Sequence, residues 1–130
     1  MLLALWQWPG LAQAGCDDPP ARCVNWLRCD KTGADLRGAD LREAVLIQVN
    51  LANARLSGAR FNNADLGSAT LSGADLTGAT LSDARLVAAK LDRATFTDAN
   101  LAGARLDRAV LTGATLNQAD LTGAGLYQAD

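Results

Sequence analysis

The chain has 130 residues, with 12 basic against 14 acidic side chains, a net charge of −2 and no histidine. That balance excludes a basic nucleic-acid-binding surface, which needs a surplus of Lys and Arg gathered on one face. The missing imidazole removes the usual general base, and with only three thiols it argues against a zinc site.

Residues 1–14 differ in composition from everything that follows. They are an apolar run containing Leu2, Leu3, Leu5, Trp6 and Trp8, and they end in Ala12-Gln13-Ala14. An apolar h-region followed by an A-x-A site reads as a secretory signal peptide over residues 1–14. No basic n-region precedes it, which fits a start upstream of Met1. The alternative is an apolar helix belonging to the mature fold. The stretch is too short for a transmembrane span, and no other segment could cross a membrane.

Residues 15–33 form the next unit, an N-terminal cap. Cys16, Cys23 and Cys29 all lie here, and none lies further on. Clustered cysteines in an exported chain read as a disulfide staple. The count is odd, so one thiol is free, paired with another molecule or modified. Ala14-Gly15-Cys16 also resembles the end of a lipobox, which would make Cys16 a lipid anchor and leave Cys23 and Cys29 to pair. Gln13 stands where that motif has leucine.

From residue 34 to residue 130 one pattern governs the chain. Leucine or phenylalanine occupies every fifth residue from Leu36 to Leu126, nineteen times in succession. Two residues before each lies an alanine, Val49 being the one exception. On an α-helix a five-residue step advances by roughly 140°, so the leucines would wind around the whole surface. On a straight strand an odd period would flip them to the opposite face at each repeat. The pattern is satisfied when about three extended residues are followed by a corner. Turn-forming pairs such as Ser57-Gly58, Asn62-Asn63, Thr77-Gly78 and Thr122-Gly123 occupy the corners. The chain then turns the same way repeatedly and keeps alanine and leucine inside.

Units such as Ala34-Asp35-Leu36-Arg37-Gly38, Ala74-Asp75-Leu76-Thr77-Gly78 and Ala119-Asp120-Leu121-Thr122-Gly123 resemble the pentapeptide repeat family, with its A(D/N)LXX consensus. The resemblance implies an all-β fold, a right-handed quadrilateral β-helix of about five coils, each of four pentapeptides. Residues twenty apart then stack at about 4.8 Å, giving a rod on the order of 23 Å long with a filled interior and no ligand pocket. The stretch from Val24 to Lys31 keeps the register, with Val24 and Cys29 in the alanine column and Trp26 and Lys31 in the leucine column. It resembles the start of exported family members, which implies a disulfide between Cys16 and Cys29 with Cys23 left over. Stacking would set Trp26 over Leu46 and Cys29 over Val49. Lys31, a charge in an inward column, marks the end of the solenoid and blocks edge-to-edge pairing.

Outward columns alternate in charge, as in Asp35–Arg55–Asp75, Asp40–Arg60 and Asp65–Arg85, which points to ion pairing across coils on a solvated face. Apolar exceptions are Val45, Ile47, Val87 and Tyr127 on one side, and Val110. The four on one side are a candidate interaction patch; alternatively Val45 and Ile47 pack under the cap. The last residues, Ala129-Asp130, carry no capping element, so the final coil is an expected site of homodimerisation.

No catalytic, cofactor-binding or metal-ligating constellation emerges. There is no P-loop, no glycine-rich dinucleotide fingerprint and no general base of the usual kind. The expected function is that of a non-catalytic exported scaffold or protein-interaction module, without cofactor and with an unidentified protein partner. It would lie in the periplasm, outside the cell, or in the thylakoid lumen of a phototroph. The alternative comes from the family: some members mimic B-form DNA and act on type II topoisomerases. Such mimics have strongly negative surfaces, whereas the signs here cancel locally.

Overall fold

The computed structural model describes residues 15–130. The signal peptide read over residues 1–14 lies outside the described residues. From residue 23 on, the chain is built from one unit, repeated. In each pentapeptide the residue before leucine forms a parallel bridge to the residue twenty positions on. One such ladder runs unbroken through Asn25, Val45, Asp65, Arg85, Arg105 and Gly125, and three others start at Asp30, Asp35 and Asp40. Four ladders mean four sides. Each side contributes one bridged residue per coil, because a corner follows two residues later.

The corner is a β-turn closed from the alanine to the preceding leucine, as where the Ala79 N–H donates to the Leu76 carbonyl at 3.0 Å. Its third residue has positive φ at every corner from Cys23 to Gln128. Glycine fills eight of these positions, including Gly78 at φ 65°, and non-glycine residues fill the other fourteen at φ 54–62°. The left-handed conformation costs an L-residue about 1–2 kcal/mol, because Cβ approaches the next carbonyl oxygen. The inter-coil ladder enforces it regardless. Ala88, exposed at φ 57°, has no side-chain hydrogen bond to offset the strain. Ala88→Gly should therefore raise stability by about 0.5–1 kcal/mol, the relief exceeding glycine's extra entropy in the unfolded chain. A urea titration that moved to lower midpoint would contradict this.

The coil geometry begins upstream of Ala34, where the full repeats start. Asn25 is already bridged to Val45 and Asp30 to Asn50, so the first turn of the rod lies within the segment read as a cap. Backbone pairing needs only the extended-then-corner conformation. Val24, Trp26 and Cys29 satisfy it without being alanine or leucine.

Inside, the core is a continuous column. The leucines from Leu41 to Leu106 are at most 1% exposed, and Phe61 and Phe96 fit the same positions fully buried. Among the described residues no polar or charged side chain is buried. Burial stops at the last coil, where Leu111, Leu116 and Leu121 are half-buried and Leu126 is 46% exposed.

Candidate functional site

At the N-terminal end, Trp26 closes the core. It is fully buried, and it lies one coil above Leu46 in the same column. Its indole N–H donates to the Asp18 carbonyl at 3.2 Å. Lys31 does not point along the column. Its ammonium folds back to lie 4.2 Å from the centroid of the Trp26 ring and donates to the Cys16 carbonyl at 2.6 Å. A cation over an indole face and a carbonyl acceptor together satisfy the charge that an apolar column could not. Cys16 and Cys29 are joined by a disulfide, with Cα atoms 5.3 Å apart. Val24 is buried beside them. Cys23 is a free, exposed thiol at the first corner, and it donates to Glu43 Oε2 at 3.8 Å.

The apolar patch residues share one side of the rod but are not contiguous. Val45 and Ile47 are half-buried in the coil next to Trp26, and Val87 is half-buried two coils further on. Tyr127, 68% exposed, lies two coils beyond Val87, with Asp107 between them. Sequence reading missed Leu27, which occupies the position above Ile47: the Arg28 N–H donates to the Ile47 carbonyl at 3.0 Å. The signal was its place directly after Trp26 in the leucine column, equivalent to Ile47 after Leu46. Leu27, Val45 and Ile47 thus form the compact apolar area, and Val87 and Tyr127 stand apart.

Charged groups pair along a coil as much as between coils. Asp65 meets Arg85 of the next coil at 3.0 Å, and Arg55 is 3.7 Å from Asp35. The closer partner of Asp35 is Arg37, whose guanidinium donates at 2.8 and 2.7 Å. Asp40 is held in the same way by Arg42, with Arg60 adding only a weaker attraction through charge. The cause is local: an arginine stands two residues ahead of Asp35 and of Asp40 on the same coil, whereas Asp65 has Gly67 there and meets Arg85 of the next coil instead. The hydrogen bonds from Arg37 and Arg42 hold the carboxyls of Asp35 and Asp40 down at about 2, so both stay ionised through mildly acidic pH. These pairs neutralise one another and leave no focused field.

The interior is not filled to its end. A cavity of about 250 Å³ opens at the last coil, lined by Phe96, Leu101, Leu106, Leu116, Leu126 and Asp130 among others. This corrects the expectation of a rod without a pocket. Leucines in the middle of the column are packed from both sides, whereas those of the last coil have chain on one side only. Among the described residues no three His, Cys, Asp or Glu side chains converge as metal ligands do, and no helix is long and apolar enough to cross a membrane.

The repeat unit matches the family model for pentapeptide repeats in eight copies, over residues 32–67, 59–98 and 89–126. No curated protein matches the chain. Among solved structures it is similar to a pentapeptide repeat protein from the Arabidopsis thaliana thylakoid lumen, at 37% identity and a TM-score of 0.71. That match covers 72% of this chain and 66% of the other. It is also similar to a pentapeptide repeat protein from Nostoc PCC 7120, at 31% identity and a TM-score of 0.66, covering 78% and 84%. A trypsin-treated form of the plasmid-mediated fluoroquinolone resistance protein QnrB1 shares the fold at 23% identity and a TM-score of 0.54, covering 82% and 62%. Four ladders, a corner every five residues and these matches agree on one architecture: the chain is a right-handed quadrilateral β-helix and belongs to the pentapeptide repeat family.

Proposed function

We propose that the chain is a non-catalytic, exported, rigid scaffold that binds a protein partner along one side of its rod. The observation that carries this reading is the distribution of polar chemistry. No polar or charged side chain is buried among the described residues, so nothing is held in a dry site where it could act as acid, base or nucleophile. Outside, seven guanidiniums pair with nearby carboxylates among the described residues, and Leu27, Val45 and Ile47 form the compact apolar area. Residues 1–14 act as the signal peptide and residues 15–33 as the cap. Export is supported by the Cys16–Cys29 disulfide, which persists in oxidising compartments, and by the similarity to a thylakoid-lumen protein.

The test is site-specific photocrosslinking in the native host, with the crosslinker at Ile47 or at Thr97 on another side. A discrete adduct from position 47 alone, lost when Val45→Glu is added, supports a partner on this side. Adducts from neither position, or equally from both, overturn it. Action on a type II topoisomerase would require a continuous negative surface, and the alternation of Asp and Arg in the ladders argues against one. The likeness to QnrB1 extends to the fold alone.

A further inference from the structure

We propose that the Cys16–Cys29 disulfide is a redox-operated clasp. A dithiol reductant that opens it releases residues 15–22 from the end of the rod and uncovers Trp26, while the coils stay folded.

The two halves of this region are held in different ways. Residues 23–33 are part of the ladder: the Trp26 N–H donates to the Val45 carbonyl, the Val45 N–H to the Val24 carbonyl and the Asn50 N–H to the Cys29 carbonyl, all at 2.9 Å. Cys29 is 1% exposed and belongs to the core cluster. Residues 15–22 lie outside the ladder. Apart from the disulfide they are fastened by the Gly15 N–H on the Asn25 carbonyl, the Val24 N–H on the Ala21 carbonyl, the Trp26 indole on the Asp18 carbonyl, Lys31 on the Cys16 carbonyl and the Arg22–Glu43 ion pair. Cys16 through Arg22 are all exposed, so most of these contacts compete with water and contribute little net, the part-buried indole bond to Asp18 being the exception. Against them stands the backbone entropy of the strap, which the covalent bond has already removed. The disulfide decides whether the strap stays down.

It is also placed to be opened. Cys16 is exposed and Cys29 is buried, so an attacking thiolate reaches the sulfur of Cys16. The S–S bond breaks, Cys29 leaves as a thiolate and takes a proton, and a mixed disulfide remains on Cys16. The second thiol of the reductant displaces Cys16 as a thiol. Two electrons pass from the dithiol to the clasp, and the reductant leaves as its disulfide. Trp26, fully buried beneath the strap, then loses its cover and its indole acceptor.

The full-length chain carrying Trp6→Phe and Trp8→Phe has Trp26 as its one tryptophan. Acrylamide quenching, thiol titration on denatured aliquots and far-ultraviolet circular dichroism are followed before and after dithiothreitol. Reduction should raise the titrated thiols from one to three and quenching several-fold, with the dichroism unchanged and reoxidation restoring the shielded state. Cys16→Ser should be quenched without reductant, and Cys23→Ser should behave as the oxidised parent. Three free thiols with Trp26 still shielded would overturn the clasp. So would loss of the dichroism on reduction, because the disulfide would then be holding the fold together.

Discussion

Leu76→Asp should unfold the rod. Leu76 is fully buried, with Leu56 above and Phe96 below it in the same column. Substitution removes the leucine's burial and inserts a carboxyl into a core with no buried polar partner to accept it. The group will be forced into its neutral form, and it still lacks a hydrogen-bond partner. The combined loss exceeds about 5 kcal/mol, which rivals the whole stability of an ordinary domain. Position adds to the effect. Each coil touches only its neighbours, so a break in the third coil leaves about two coils on either side, and fewer than three repeats rarely stand alone. Thermal melts followed by circular dichroism should show no folded baseline, whereas Leu76→Met should cost less than about 1.5 kcal/mol. A melting temperature shared by Leu76→Asp and the parent would mean that the leucine column is not the core.

The inward side of this chain was readable before any coordinates, and the reason is geometric. An odd period with alanine two residues before leucine admits few backbones, and the bridges fall at the twenty-residue spacing that the family resemblance implied. The outward side was less readable. Charge columns correctly paired Asp65 with Arg85 and brought Arg55 near Asp35, but they missed that Asp35 and Asp40 prefer Arg37 and Arg42. Column reading ignores the residue two positions ahead, where Arg37 and Arg42 stand within reach of Asp35 and Asp40 on the same coil. The corners were located correctly, yet non-glycine residues hold positive φ at most of them, because tertiary pairing overrides a local preference. Lys31 was read as a charge left at an open edge. It lies instead over the Trp26 ring, a contact that no periodicity encodes. Function is harder still: the repeat dictates what points in, and five-residue periodicity places almost no demand on what points out.

Trp26→Ala should remove the first coil while leaving the rest of the rod. Among the described residues Trp26 is the largest fully buried side chain, and truncating a buried tryptophan costs about 3–5 kcal/mol through lost contacts and the void left behind. In a solenoid that loss is not shared along the whole molecule, because the coil containing Leu46 can become the new end. The expected signature is therefore local. Amide exchange should accelerate at Val45 and Asn50, whose N–H groups bond to the Val24 and Cys29 carbonyls of the first coil. Leu76, bonded to the Thr95 carbonyl at mid-rod, should keep its protection. Trp26→Phe should cost less: it keeps most of the packing and loses one hydrogen bond to Asp18, whose exposed carbonyl can turn to water. The comparison with clasp opening is informative. Reduction takes away the cover but leaves the indole in its column, so the first coil survives; removing the indole takes away what that coil is packed around. If Val45 and Asn50 stayed protected in Trp26→Ala, the disulfide rather than the tryptophan would be holding the first coil, and a reversible clasp at this end would be untenable.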